Sequence, residues 1–586
     1  MFDFLPSIDL IRANIAEAMA AYPEVFQIIT CFIRYALCIL ALFIITSCAV
    51  SLLKGKVDRE LWAYLCVGSE RIDIGHWENT IGRARQSDIV VNLPTVSRNH
   101  AVLARDGEGN WHITDLNSKT GTFVNGNKII GSTPVQYGDL IQVGGQELVL
   151  LPAGTKEKTE NKLKRTRQSI WVSPVLILVW LSEFQIFALV QLILSTHENF
   201  SWALPFVFII FMVFMWIWYF TFRAMRRHGF EIDLIGFFLS TLGLLVCASA
   251  YPSGLFKQFI ALAIGIAIFL TLGWILRNLE FIKKLRWPAA IGTLAMLTLT
   301  LLLGEERYGA KNWINLGGIT LQLSEFAKVL FVFSGAASLE RLYTRRNLIG
   351  FVALAGACVI ALALQGDYGT ALIFFVTFIV IAFLRSGDLA SVVFICSGAA
   401  LGAFLVIKAK PYIANRFAAW RHVWEFAQSS GYQQTRTMSA AASGGLFGLG
   451  AGEGWLQNIG AASTDLVFGI LCEELGLIVA LCAVAAVAIL AVFAVKSSSI
   501  GRSSYYVIVA CAAASMLVFQ MMLNVFGSVD ILPLTGVTFP FVSTGGSSMI
   551  ACWGLLAFIK ANDTRQNASF VVKLDRAKEA DSYEQG

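Results

Sequence analysis

The chain has 586 residues, of which 56% are hydrophobic and only 14% charged, whereas a soluble domain carries about 25% charged residues. A soluble core is therefore excluded as the main architecture. The net charge of +6 matters less than where the positive residues sit, because orientation in a membrane follows the Lys and Arg content of short loops. The first apolar run, residues 26–53, is longer than the roughly 7–15-residue apolar region of a cleavable signal peptide. It follows an acidic rather than a basic segment, so it reads as a membrane span.

After this anchor (residues 1–57) the composition changes to short alternating runs such as Asp88-Ile89-Val90-Val91-Asn92 and Trp111-His112-Ile113-Thr114, punctuated by Asn125-Gly126 and Gly144-Gly145. Period-two alternation with Gly and Asn turns predicts a small antiparallel β domain over residues 58–153. A linker at 154–170 follows, with Lys156, Lys158, Lys162, Lys164, Arg165 and Arg167 next to the second apolar run. Basic residues beside a span mark its cytoplasmic end, so the β domain is expected in the cytoplasm.

Residues 171–562 then read as a multi-span domain, with apolar stretches near 171–195, 202–222, 232–249, 256–276, 288–303, 323–337, 348–364, 370–384, 390–407, 466–495, 505–526 and 547–559. With the first run this makes about thirteen spans of the length a bilayer requires. Positive charge collects in alternate loops, at Arg223, Arg226 and Arg227, at Arg277, Lys283, Lys284 and Arg286, at Arg341, Arg345 and Arg346, and at Lys496 and Arg502. Those loops and the tail 563–586 are expected inside, which places the N-terminus outside. The longer irregular loops, 304–322, 365–369, 408–465 and 527–546, fall on the other side, where binding and chemistry are expected. The eleven cysteines lie in apolar runs or in the β insert without metal-ligand spacing, which predicts neither a disulfide nor a zinc site.

The β insert carries Ile81-Gly82-Arg83, Ser97-Arg98-Asn99-His100 and the run from Asp115 to Gly126. In that order these motifs resemble a forkhead-associated (FHA) domain, a β-sandwich whose loops bind phosphothreonine. The resemblance implies that Arg83 and Ser97 grip the phosphate, that Arg98 helps at the rim and that His100 braces the loop. Thr120 stands where the family usually has Asn, while Asn125 remains; both belong to the implied phosphothreonine site. A phosphate carries nearly two negative charges and several acceptor oxygens, which suits a guanidinium and a hydroxyl. The plainer reading of Arg83 and Ser97 is that they finish turns.

Four further segments resemble the SEDS family, the FtsW, RodA and SpoVE group of peptidoglycan glycosyltransferases. They are Gly309-Ala310-Lys311-Asn312-Trp313 with Gln322-Leu323-Ser324-Glu325-Phe326-Ala327-Lys328, then Gln365-Gly366-Asp367-Tyr368-Gly369, then Ser443-Gly444-Gly445 through Ser463-Thr464-Asp465 to Glu473-Glu474, then Gly536-Val537-Thr538 through Ser543-Thr544-Gly545-Gly546. Leu323, Ser463 and Thr544 stand where the family usually has Pro, His and Tyr. The resemblance places the family's essential aspartate at Asp465. It also implies ten spans, so the N-terminal anchor and two further spans are additional. An ionisable residue where an outer loop meets a span is a functional candidate, and a carboxylate there can take the proton of an attacking sugar hydroxyl. Lys408, Lys410, Arg416, Arg421 and Arg436 gather in the same outer loop, against the usual bias, as candidates for a diphosphate or for plain contacts with lipid head groups. Glu325 and Lys328 lie three apart on one helix face and suit a structural ion pair and a catalytic role equally.

The implied activity is polymerisation of lipid II, the undecaprenyl-diphosphate-linked disaccharide pentapeptide, into glycan strands. The charge of the leaving diphosphate is to be met by a divalent metal, Mg or Mn, or by Lys and Arg. Implied partners are a class B penicillin-binding transpeptidase and a phosphothreonine protein of a Ser/Thr kinase pathway, with no nucleic acid. A lipid II flippase and an inert phospho-dependent scaffold are the alternatives. An acid at the outer rim favours the enzyme, because transporter sites usually sit at the membrane midplane.

Overall fold

The computed structural model describes residues 8–571, apart from 56, 86, 107–108, 170–171, 196–200, 308, 318, 340–344, 387–388, 410 and 566. A short helix, α1 (Ile8–Ala21), leads into the long α2 (Pro23–Leu53). The β insert follows as β1 (Ala63–Val67), β2 (Glu70–Ile74), β3 (Glu78–Gly82), β4 (Ile89–Val90), β5 (Ala101–Arg105), β6 (Trp111–Asp115), β7 (Thr122–Val124), β8 (Asn127–Lys128), β9 (Ser132–Val135), β10 (Leu140–Val143) and β11 (Gln146–Pro152), in two sheets of order β2-β1-β11-β10-β7-β8 and β4-β3-β5-β6-β9. Pairing within them is antiparallel except for β3 with β4. Alternate strand residues point inward, so Leu65, Ile81, Leu103, Ile113, Ile141 and Leu148 form a closed apolar core between the sheets.

The linker differs from expectation in being helical. Glu157 accepts a hydrogen bond from the Gly154 N–H at 2.9 Å and so caps α3 (Thr155–Gln168) at its start. Long apolar helices follow: α4 (Pro174–Ser195), α5 (Ala203–Ala224), α6 (Glu231–Ala250), α7 (Leu255–Ile275) and α8 (Leu279–Leu303). Residues 304–322, expected to be irregular, fold as a three-stranded meander of β12 (Glu305–Arg307), β13 (Ala310–Leu316) and β14 (Ile319–Leu321). Gly309 and Gly317 turn its corners at φ +82° and +60°. Then come α9 (Leu323–Leu339), α10 (Arg345–Leu364), α11 (Tyr368–Ser386), α12 (Leu389–Ala409), α13 (Pro411–Ala419), α14 (Tyr432–Gly444), the one-turn α15 (Ala462–Asp465) and α16 (Val467–Ile470), α17 (Leu477–Ser498), α18 (Ser504–Ser528) and α19 (Gly546–Ala561). Among the described residues, eight helices are long and apolar enough to cross a membrane. The apolar stretches Ile349–Leu364, Tyr368–Leu384, Val392–Gly402 and Gly546–Ala561 are shorter.

One expected span starts later than its apolar pattern suggests. The run 466–495 is continuous in hydropathy, yet the regular helix begins only at Leu477. Gly476 at φ +88° breaks it, because Gly476 and Gly448 pack so closely that neither has room for a side chain. The buried Glu473 and Glu474 before the break are held by loop amides: Glu473 accepts from Trp455 N and Leu456 N, both at 3.0 Å, and Glu474 from Gly452 N at 2.9 Å.

The sandwich is clamped to the bundle at the start of α18. Arg502 donates twice to the Glu60 carboxylate at 2.9 Å, and Arg165 of α3 donates to it as well, also at 2.9 Å. Ser504 donates to Glu78 at 2.6 Å and Trp77 N to Arg502 O at 2.6 Å. Behind the clamp Arg565 bridges Asp563 and Glu231 at 2.7 and 3.0 Å. Burial by itself would raise the Glu60 carboxyl, but Arg502 and then Arg165 outweigh it and bring it down to about 2. The ionised form therefore stabilises the docked sandwich at all pH values above the ordinary 4.5, and that stabilisation is lost as pH falls toward about 2. Its size is about 3 kcal/mol. Glu60→Gln in the full chain should lower the thermal midpoint of the sandwich near neutral pH and flatten its decline in acid. An unchanged midpoint and acid slope would show that the clamp contributes nothing.

Candidate active site

Asp465 ends α15, and three segments converge on it. From α18, Asn524 donates one amide hydrogen to Asp465 O at 2.9 Å and the other to Val537 O at 2.8 Å. From the loop before α19, Ser543 donates to Thr464 O at 2.6 Å and Thr544 N donates to Ser463 O at 2.9 Å. Ser463 and Thr544, both departures from the SEDS pattern, meet each other through a hydroxyl hydrogen bond of 2.7 Å. Gly536, at φ +70°, lies under the carboxylate, where an added Cβ would sit 3.3 Å from Asp465 Oδ2. Burial pushes the Asp465 carboxyl above its ordinary value, while the Thr464 hydroxyl and the Arg416 guanidinium oppose the rise.

Arg416, on α13, is anchored by donating to Leu534 O at 2.9 Å. Beside it opens a cavity of about 560 Å³ lined by Asn415, Arg416, Tyr432, Gln433, Gln434 and Leu534 among others. Gln434 is 4% exposed and its amide oxygen has no partner. Arg436 lies 5.3 Å from the Tyr432 ring centre. Arg421 is exposed in a left-handed turn (φ +65°) whose backbone N–H donates to Asp530. Lys408 is exposed over Phe404. Lys410 lies outside the described residues. The four described candidates are thus dispersed: Arg416 influences the Asp465 carboxylate, and the Arg421 backbone is taken up in a turn.

Glu325 and Lys328 pair on α9 at 2.7 Å, 3% and 1% exposed. Lys328 also donates to Gln520 at 2.9 Å, Gln520 to Thr538 at 2.8 Å, and Thr538 meets Ser548 at 3.0 Å. Gln520 and Asn524 are one helical turn apart on α18, so a single helix face serves both the buried ion pair and the backbone of Asp465. Breaking one partner of such a buried pair costs about 3–5 kcal/mol. Sequence reading passed over Gln520, Asn524 and Thr538; the usable signal was two amides four residues apart inside an apolar helix. Asp367 accepts from Thr370 N at 3.1 Å as the cap of α11, and from the Asn312 and Gln322 side chains at 3.3 Å each. Among the described residues no group of three His, Cys, Asp or Glu side chains could hold a metal ion. Among the described residues Asp367 is the carboxylate whose charge acts on Asp465, and two carboxylates do not make the donor set of a divalent metal held by the protein alone.

The second constellation lies on the sandwich. His100, fully buried, accepts from Ser97 N at 3.1 Å and donates its other ring hydrogen to Gly121 O at 3.2 Å, tying two loops together. Ser97 Oγ accepts from Lys119 N at 3.1 Å, which leaves the hydroxyl hydrogen for another acceptor. Arg83 N donates to Ser97 O at 3.0 Å, which sets the two residues side by side, and the Arg83 and Arg98 side chains are exposed. Thr120 donates to Thr95 O at 3.3 Å. Asn125 is taken up internally, donating to Asp139 and accepting from Leu140 N, both at 2.9 Å, so its polar atoms tie the β7–β8 turn to the start of β10. These loops lie at the Gly82 end of β3, whereas Glu78 at its other end meets the bundle. The Arg83 and Ser97 surface therefore faces away from the helices.

Known proteins resemble both parts of the chain. The model of the cell cycle protein family FtsW/RodA/SpoVE matches residues 240–567, more than half of the chain, and the FHA domain model matches residues 79–144. The protein named "Probable peptidoglycan glycosyltransferase FtsW" of Tolumonas auensis is 30% identical over 394 residues, covering 62% of this chain and all of the relative. The protein named "Peptidoglycan glycosyltransferase RodA" of Mycobacterium leprae is 29% identical over 319 residues, 52% of this chain and 68% of that one. A solved peptidoglycan synthase complex that coordinates polymerization and crosslinking contains a chain 25% identical, with a TM-score of 0.48, over 58% of this chain and 98% of that one. With Asp465, Glu325 and Lys328 all inside the matched region, the chain belongs to the FtsW/RodA/SpoVE family and carries an FHA domain as an insertion ahead of the family's helices.

Proposed function

We propose that this chain, a peptidoglycan glycosyltransferase by family, polymerises lipid II at Asp465 under the control of a phosphothreonine protein bound to its FHA domain. The observation that carries the reading is the Asp465 carboxylate, its backbone carbonyl held by Asn524 and its charge acted on by Arg416, which lines an open cavity. The acceptor sugar hydroxyl attacks the anomeric carbon of the neighbouring unit, the bond from that carbon to the diphosphate oxygen breaks, and Asp465 takes the hydroxyl proton. General-base help of this kind contributes about 10²- to 10⁴-fold. Arg416 and Arg436 meet the charge of the departing diphosphate, while the amides of Gln433 and Gln434 suit the hydroxyls of a sugar. Lys328 with Glu325 supports the site through Gln520 and Thr538.

In this reading the chain crosses the bacterial inner membrane about thirteen times. The FHA domain and C-terminus are cytoplasmic, the N-terminus and Asp465 extracytoplasmic. The basic loops that set this orientation lie at the sandwich end of α18. A class B penicillin-binding transpeptidase bound alongside cross-links the new strands, and the phosphorylated ligand belongs to a Ser/Thr kinase pathway. The exposed Arg83 and Arg98, with the free hydrogen of Ser97, suit a phosphate group.

Purified full-length protein given labelled lipid II should form polymer, and Asp465→Ala should lose at least about 10²-fold in rate; an alanine variant that polymerises normally refutes the assignment, and lipid translocation without polymer would favour a flippase. The acid limb of the kcat/KM profile should lie above an ordinary aspartate because burial disfavours the charged base. Arg416→Ala should move that limb further up, since its guanidinium lowers the Asp465 carboxyl; a limb unmoved by the substitution would separate the two residues. An Arg83→Ala, Ser97→Ala double variant should lose phosphothreonine-peptide affinity by about tenfold or more and keep polymerase activity in vitro. Equal affinity in the variant removes those residues from the phosphate site.

A further inference from the structure

The family's matched region begins at residue 240, so α2, α4 and α5 precede it. Two of these helices reach the loop that leads to Asp465. From α2, the Tyr35 ring meets Phe447 edge to face at 4.6 Å between centres, and the Cys38 thiol lies 3.7 Å from Leu475 O. From the last turn of α4, the Ser195 hydroxyl donates to Ala451 O at 2.7 Å. One turn earlier the Gln191 amide, 1% exposed, packs so tightly on Gly450 that an added Cβ there would stand 2.6 Å from Gln191 Nε2. The opposite face of the same loop is stitched to Glu473 and Glu474, with Leu449 N and Gly450 N donating to their carbonyls at 2.8 and 2.9 Å. Clamped from both faces, the loop runs through the turn Leu456–Asn458 into α15 and Asp465.

We infer that α2 and α4 form a brace built into this chain, with Tyr35, Gln191 and Ser195 as positioning residues that hold loop 447–456 and, through it, Asp465. The catalytic part of the inference rests on the glycosyltransferase reading above; the mechanical part does not. A base displaced by about an ångström loses up to about 10²-fold in rate even when substrate binding is intact. The brace touches the Phe447 ring, Gly450 and the Ala451 carbonyl, none of which lines the cavity, so its loss should appear in kcat and leave KM alone.

The test uses the full chain and the double variant Gln191→Leu, Ser195→Ala, read in two ways. Hydrogen exchange at the Leu449, Gly450 and Gly452 amides should quicken in the variant by tenfold or more. The rate of lipid II polymerisation should fall about tenfold at unchanged KM, and Ser195→Thr, which keeps the hydroxyl, should behave as wild type in both. Phosphothreonine-peptide affinity should not change. Exchange identical to wild type overturns the brace, and faster exchange with full kcat overturns its role in positioning Asp465. An inactive wild type would instead count against the glycosyltransferase reading, with the exchange arm still deciding whether the brace exists.

Discussion

A polar side chain inside a helical bundle has no water to bond and must find its partners on neighbouring segments. On α18 that constraint is met by the Gln520 amide and by the two amide hydrogens of Asn524. Gln520 takes one hydrogen from Lys328 and gives one to Thr538; Asn524 gives one to the carbonyl of Asp465 and one to that of Val537. Each bond contributes about 1 kcal/mol net, but leaving any of these groups unpaired would cost more. The helix thereby fixes, in one turn, the ion pair of α9, the loop before α19 and the aspartate at the end of α15.

The same helix separates the two functional surfaces. Its first residue, Ser504, bonds the sandwich, and Asn524, twenty residues on, bonds Asp465. Twenty residues of α-helix rise about 30 Å, the thickness of the hydrocarbon core. The sandwich and the acid therefore sit at opposite ends of a membrane-length helix. The loops with Arg83 and Ser97 point away from the helices, so a large soluble partner can approach them without meeting the bundle. The clamp through Glu60, Arg165 and Arg502 ties the sandwich to the helices at its other end.

The neighbourhood of Asp465 also shows how departures from a family pattern can be mutually consistent. Ser463 and Thr544 are both smaller than the residues the pattern leads one to expect, and they bond each other directly. Gly536 stays glycine for two separate reasons, its left-handed backbone and the carboxylate lying over it. Packing at this point is set by backbone proximity, and the side chains that remain are the ones that fit.

Hydropathy, period-two alternation and ordered motifs were enough to separate a β-sandwich from a helical membrane domain and to single out Arg83, Ser97, Glu325, Lys328 and Asp465, because those signals are local in the chain. Contacts between distant segments were not legible. The run 466–495 reads as one span, and only the close approach of Gly448 to Gly476 shows that its helix starts at Leu477. Asn125 looks like part of a ligand loop until its bonds to Asp139 and Leu140 are seen. The basic residues of the outer loop look equivalent in sequence, yet among those described Arg416 is the one whose charge acts on Asp465. Gln520, Asn524, Gln191 and Ser195 carry no motif at all. Their roles depend on partners tens to hundreds of residues away, and only the packed bundle decides which those are.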